Sequence, residues 1–450
     1  MTASRVAVVG GGLAGLTTAL RCADEGYAVT LFESRRQLGG LTYSFQRDGL
    51  WIDNGQHVFL NCCTAYKGFL ERLGVTDQVT IQDRLDVPIR SELHTRGGRL
   101  RRTGLPAPLH LGSTLARYRW LRPAARARVV RAALALGRVD RTDPEVDRVS
   151  FGDWLTEHGQ DQRAIDTVWD LIGIATLNAP AERASLALAA TVFQVGLLES
   201  AANADIGWSL VPLQELHGDA AYRALAAVGA TIHTRCKVRE VVPSGDGWTV
   251  DGASFDAVVL AVPPSAAEAL APPEAIAQES GWAERLGSTP IVNLHVVYDR
   301  TVLEEPFVAA VDSPLQWVFD RTRQAGLAEG QYIAASLSAA DDLVDEPVPV
   351  LRDRFLPHLE RLLRISPDTR VLEFFVTRER EATFRQQPGT VGLRASALTA
   401  LPGLYLAGAW TDTGWPATME GAVRSGEAAV AALLERSPAD RPTGHREAVV

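Results

Sequence analysis

Cysteine, lysine and methionine are all scarce in this chain of 450 residues, with four Cys, two Met and only Lys67 and Lys237 among 45 basic residues. Cys22, Cys62, Cys63 and Cys236 form no CxxC pair. That spacing excludes a zinc ribbon and a disulfide framework, and a reducing cytoplasm is the expected setting. Long apolar runs are missing too. Residues 186–198, LALAATVFQVGLL, are too few to span a bilayer and include Gln194. The start, MTASRVAVVGGG, enters a strand-like run at once, and no secretory signal is expected from it.

What is present is ordinary globular composition, 46% hydrophobic and 22% charged, enough for a large core and more than one packed unit. The net charge of −9 conceals an asymmetry. Residues 99–141 carry eleven arginines (99, 101, 102, 117, 119, 122, 126, 128, 131, 138 and 141) against one acid, Asp140. Global acidity speaks against nucleic-acid binding. The arginines alternate with Leu, Tyr, Trp and Val and read as a basic amphipathic helix pair broken at Pro123. Such a segment is either a solvated face or a contact for an anionic membrane surface.

Residues 5–34 read as strand, glycine turn, helix and second strand, the length of a βαβ unit. Residues 96–204 read as mostly helical, 230–262 as strands around a Gly-rich turn, and 290–338 as antiparallel strands. Residues 404–435 return to strand, loop and helix, and a polar tail at 437–450 is expected to fray. In the βαβ unit Gly10, Gly12 and Gly15 make GxGxxG, with Leu13 and Ala14 opening the helix. Gly10 permits the tight turn, Gly12 lets backbone approach a pyrophosphate, and Gly15 lets helix and strand pack closely. Glu33 ends the second strand, placed to accept from ribose hydroxyls, with Ser34 beside it.

A second cluster is DNGQHVF, residues 53–59, polar between apolar neighbours. Three roles compete for it: a metal site, a satisfied turn network, or an active-site edge. One His and one Asp without a second His nearby argue against metal. Asp53 and Asn54 can cap a turn before Gly55. His57, with an ordinary pKa near about 6.5, is a candidate proton donor. Asp53, four residues earlier, is the candidate to orient it. The other eight histidines are scattered singly and read as surface or core fillers.

The segment ESRRQLGGLTYSF resembles the diglycine stretch of FAD-containing oxidoreductases of the amine oxidase and phytoene desaturase superfamily. LYLAGAWTDTGWPATMEGAVRSG is similar to the C-terminal element that closes over the flavin there. The resemblance covers the whole chain. It implies an α/β plus α+β fold: a Rossmann-like FAD-binding domain of the glutathione-reductase type, assembled from 1–95, 205–265 and 395–436. A mixed helix and antiparallel-sheet domain at 96–204 and 266–394 would handle substrate. It assigns FAD contacts to Gly40, Leu41, Gly55, Gln56, Val238, Gly408, Ala409, Thr418, Met419 and Ala422, besides the βαβ residues. Trp415 becomes an aromatic wall of the substrate site, and Trp410 a packing residue. Two positions depart from the family pattern: Leu41 stands where Arg is usual, and Ala409 where an acid is common, with Asp412 a candidate substitute. No cysteine follows Cys236, so a C-terminal cysteinyl tether to flavin is excluded.

Together with LNAPAERAS at 177–185, these motifs look like the squalene-associated branch, the hydroxysqualene dehydroxylases. That likeness implies reductive loss of an allylic hydroxyl from a C30 isoprenoid, with hydride from flavin N5 and a proton from an active-site acid. It also implies peripheral attachment to the inner face of the membrane through 99–141, because such a substrate prefers lipid to water. Carotenoid or squalene desaturase, amine oxidase and a non-enzymatic prenyl-lipid escort remain open alternatives. Oligomeric state, electron donor and substrate stereoisomer are not fixed by the sequence.

Overall fold

The computed structural model describes residues 3–436; the tail expected at 437–450 lies outside them. Arg5–Val9 is the central strand of a five-stranded parallel sheet in the order Thr231–His233, Ala28–Phe32, Arg5–Val9, Ala257–Leu260, Leu404–Leu406. Its apolar residues are buried on both faces, as parallel strands require. Val6 and Val8 pack with the helices Leu13–Asp24 and Met419–Arg436, while Ala7 and Val9 join the core beneath Gly247–Val250 and Ala253–Phe255. Gly426 lets the two helices touch, since an added Cβ there would stand 2.5 Å from the Ala14 carbonyl oxygen.

A second, seven-stranded sheet runs in the order Val371–Phe384, Ser288–Tyr298, Gln331–Leu337, Trp317–Asp320, Phe307–Val311, Asp86–Ser91, Gly98–Arg101. It is antiparallel except where Phe307–Val311 meets Asp86–Ser91. Asp86–Ser91 therefore pairs in this sheet, although it precedes the division expected at residue 95. Helices cover one side of it, including Pro123–Leu136, Asp170–Leu177 and Leu186–Phe193. Two of these helical runs contain π-turns, Ile165–Trp169 and Gln194–Leu198. The buried Gln194 amide is satisfied there by the Leu136 and Val139 carbonyls at 2.8 Å each.

The helix pair expected over 99–141 is only half present. Gly98–Arg101 is a strand, and the helix before Pro123 is the short Gly112–Ala116. Pro123 does not break a helix but begins one, at the first position, where its missing N–H costs nothing. Val238 also departs from expectation. It sits in extended backbone between the strands Thr231–His233 and Val241–Ser244, not within a strand.

Candidate active site

The glycine turn has the shape a diphosphate needs. Gly10 adopts φ +111°, and a Cβ on Gly15 would lie 1.9 Å from the Gly10 oxygen. Gly40 crosses over Gly12 so closely that a Cβ on Gly40 would stand 2.6 Å from the Gly12 Cα. The two glycine motifs thus meet at the N-terminus of Leu13–Asp24, where no side chain caps the helix and its positive end faces outward. Buried Glu33 accepts from the Gly11 N–H at 2.7 Å, the Arg35 N–H at 2.6 Å and the Ser34 hydroxyl at 3.1 Å. Each oxygen keeps acceptor capacity for a ribose. The Cys236 N–H donates to the Glu33 carbonyl, which draws the stretch leading to Val238 alongside. Leu41 is exposed, but a guanidinium still reaches the diglycine: Arg35 donates to the Gly40 carbonyl at 3.2 Å.

DNGQHVF runs from the hairpin Ser44–Arg47/Leu50–Asp53 to the strand Val58–Leu60, which pairs with Ile206–Ser209. Its first half is a structural network. Asp53 accepts from the Ser44 hydroxyl at 2.6 Å and the Leu213 N–H at 3.0 Å, and it pairs with buried Arg321. It makes no hydrogen bond to His57, so the expected Asp53–His57 pairing is corrected: the carboxylate is already committed to Arg321, Ser44 and Leu213. Asn54 donates to the Leu41 carbonyl at 2.8 Å. Its own carbonyl accepts from Asn293 at 3.2 Å and from Thr377 at 3.1 Å. Behind Thr377 stands His295, whose other ring nitrogen meets the Tyr332 hydroxyl at 2.6 Å. Burial pushes the His295 pKa down to about 3.

The second half of the motif is left free. Both amide atoms of Gln56 are buried and find no hydrogen-bond partner among the described residues, and neither does the Asn293 side-chain oxygen beside Gly55. Orphaned polar atoms of this kind are expensive without a partner, which fits a site built to receive a cofactor or substrate. His57 is half-buried, and its Nδ1 donates to the Gly55 carbonyl at 3.1 Å. This leaves Nε2 with no partner among the described residues. Burial lowers the His57 pKa, outweighing the opposing pull of the Gly55 carbonyl and Asp53. Next to it the Tyr66 hydroxyl meets His217 at 2.7 Å. Burial takes the His217 pKa down to about 3.

Strand pairing sets Trp208 opposite Val58, one residue from His57. Trp208 lies edge-on to Phe307, which in turn contacts Trp317 and Phe319. The Trp317 indole donates to the Leu171 carbonyl at 3.0 Å. Leu171, Ile172 and Trp169 line a cavity of about 70 Å³ walled only by apolar and aromatic residues. An aromatic cluster thus leads from the strand pair at Val58 toward a greasy interior. Neither Trp208 nor Phe307 carried any signal in the sequence, because only the fold brings Trp208 opposite Val58 and Phe307 against Trp208.

At the C-terminal element, Gly408 has φ +146° and donates its N–H to the Ser425 hydroxyl at 2.8 Å. Thr418 caps Met419–Arg436, its hydroxyl accepting from the Gly421 N–H at 3.1 Å, and Ala422 lies in the first turns. Trp410 packs on Trp282 with ring centroids 5.1 Å apart, a core role. Trp415 has the Arg424 guanidinium 4.5 Å from its ring centre, so one face is already covered. Asp412 is exposed and its carboxylate accepts from the Gly414 N–H at 3.4 Å. The residue that organises this loop is buried Arg394, which donates to the carbonyls of Ala409, Trp410 and Thr411. Burial brings its pKa down to about 10.

Residues 13–434 match the family described as flavin containing amine oxidoreductase. Over 95% of this chain and 98% of its own length, a hydroxysqualene dehydroxylase of Rhodopseudomonas palustris is 29% identical. A zeta-carotene desaturase of Synechocystis is 25% identical over 96% of this chain and 97% of its own. The fold is shared with an oxidoreductase from Methanosarcina mazei, with a TM-score of 0.73 at 15% identity, covering 95% of this chain and all of the other. With its glycine cradle, its free Gln56 amide and a match across nearly all of its length, the chain belongs to the flavin containing amine oxidoreductases and is an FAD-dependent oxidoreductase.

Proposed function

We propose that this flavoenzyme removes the allylic hydroxyl of hydroxysqualene reductively and releases squalene. The observation that carries the reading is the aromatic cluster of Trp208, Phe307, Trp317 and Phe319, which begins across the strand pair from Val58, the residue after His57. A π-rich surface favours a carbon centre that becomes cationic as oxygen leaves. FAD, held by the glycine cradle, Glu33 and the Gly408 loop, supplies hydride chemistry when bound. His57, doubly protonated, gives its Nε2 proton to the departing oxygen. The C–O bond breaks, a C–H bond forms, water leaves, and two electrons come from the reduced cofactor. Gln56 orients the reacting end, and the Asp53–Arg321 pair fixes the backbone that carries both side chains. The apolar cavity of about 70 Å³ is smaller than a C30 chain, so admitting the substrate requires it to widen.

The same reading attaches the protein peripherally to the inner, cytoplasmic face of the membrane. Among the described residues no helix is long and apolar enough to cross a membrane. Leu105, Leu109, Val130 and Leu134 are exposed among the arginines of 99–141, the composition of an interfacial contact. Incubation with hydroxysqualene tests the chemistry. Squalene forming only in the presence of a flavin reductant supports it, and dehydrogenated products from the oxidised enzyme refute it in favour of a desaturase.

A further inference from the structure

The arginine segment contains a second site, away from the glycine cradle. Two short stretches with period-two alternation build it. In Gly98–Arg101 the residues Arg99 and Arg101 point outward while Leu100 is buried. In residues 117–120 Arg117 and Arg119 are exposed while Tyr118 and Trp120 are buried. Between them lies an open cleft of about 500 Å³ lined by Arg84, Arg99, Arg101, Arg102, Arg117 and Arg119, with the Ser113 hydroxyl at its wall. Among the described residues no carboxylate lines it. Gly98 forms its floor against Trp120, where an added Cβ would stand 2.4 Å from the indole.

Three of the six guanidinium groups are held by acids outside the cleft. Asp205 takes Arg102 through two bonds, at 2.6 and 2.8 Å, and Asp86 takes Arg99 at 2.7 Å and Arg101 at 3.5 Å. Arg84 and Arg117 have no hydrogen-bond or ion-pair partner among the described residues, and Arg119 spends one nitrogen on the Arg96 carbonyl at 3.1 Å. Six cations against two carboxylates form a concave, partly pre-organised fork, the arrangement that suits phosphate oxygens. A solvated face has no reason to converge its charges in this way, because like charges repel.

We propose that this cleft is a binding site for a phosphoryl group, either the phosphomonoester head of an anionic lipid or a soluble diphosphate. Leu105 and Leu109, exposed just beyond the lining residues Thr103 and Gly104, sit where lipid chains would meet the protein. The site deepens the membrane reading given above and is independent of the redox chemistry.

The test uses the full chain with FAD bound and an Arg84→Gln/Arg117→Gln/Arg119→Gln variant, which spares the arginines that hold Asp86 and Asp205. Calorimetric titration with inorganic pyrophosphate is expected to show saturable one-site binding, weakened at least about tenfold in the variant. Vesicles of phosphatidylcholine with phosphatidic acid are expected to bind the parent protein, and pyrophosphate to displace it. Pyrophosphate binding without vesicle binding supports the site and assigns it a soluble diphosphate. Pyrophosphate affinity unchanged by the three substitutions, or none in the parent, overturns it. Vesicle binding that survives these substitutions but is lost on neutralising Arg122, Arg131 and Arg138, together with pyrophosphate affinity unchanged by the three substitutions, overturns the cleft while leaving the membrane reading intact.

Discussion

Replacing Asp53 with Ala separates a structural carboxylate from a catalytic one. The Asp53 and Arg321 side chains are only 5% and 7% exposed. Removing the carboxylate leaves a buried guanidinium without its anion, a change that costs about 3–5 kcal/mol. The Leu213 N–H, bonded to Asp53 at 3.0 Å, also loses its acceptor, worth about 1–3 kcal/mol if no water replaces it. The terms overlap, so a loss of about 4–6 kcal/mol is expected, against a typical total of about 5–15 kcal/mol. Urea unfolding at a fixed excess of FAD measures it, because bound cofactor raises apparent stability. Adding Arg321→Met removes the stranded charge, and the double variant is expected to recover most of the ion-pair part. A midpoint for Asp53→Ala equivalent to less than about 1 kcal/mol below the parent would refute the reasoning. So would a double variant no more stable than Asp53→Ala alone.

Gly15→Ala drives a methyl into the Gly10 carbonyl, 1.9 Å from the ideal Cβ position. The purified protein is expected to lose bound-flavin absorbance, whereas Gly68→Ala, with nothing within 4 Å, leaves it intact. In the proposed reaction His57 acts in its protonated form, and burial sets its pKa below the ordinary value. The single-turnover rate is therefore expected to climb as pH falls through an inflection below about 6.5. In His57→Gln, with FAD still bound, the rate should be low and flat with pH; parental turnover would remove His57 from the chemistry. His217 and His295 have folded-state pKa values near 3, well below those of the unfolded chain. The stability they confer by staying neutral is complete above about pH 6.5 and drains away as pH falls toward 3. A urea midpoint that does not decline over that window, or declines equally in His295→Gln, contradicts this.

The dinucleotide half of the fold was legible because its signals are local. Glycines at 10, 12 and 15, an apolar strand before them and Glu33 after them specify one supersecondary unit almost alone. Gly40 was legible through resemblance, and its crossing over Gly12 shows the physical reason for it. The 53–59 cluster was half legible. Its polarity marked it, but the division of labour depended on partners far away in sequence: Asn293 and Thr377 belong to the second sheet, Arg321 follows its strand Trp317–Asp320, and no local pattern ties them to Asp53 or Asn54. Competition for the Asp53 carboxylate was invisible for the same reason, so proximity in sequence suggested a His57 partnership that the fold spends on Arg321. Arg394 went unnoticed because a lone arginine before a loop has no signature until its carbonyl partners are in place. The arginine segment misled in form: high helix propensity at 112–136 extended the helical reading back over Gly98–Arg101, where strand pairing with Asp86–Ser91 prevails.

The central claim is that the reduced enzyme gives its electrons to an allylic alcohol. The direct measurement mixes anaerobically reduced enzyme with hydroxysqualene and follows flavin absorbance and products through a single turnover. Return of the oxidised-flavin spectrum with one squalene formed per flavin is the predicted result. A spectrum that stays bleached, with hydroxysqualene recovered unchanged, contradicts it.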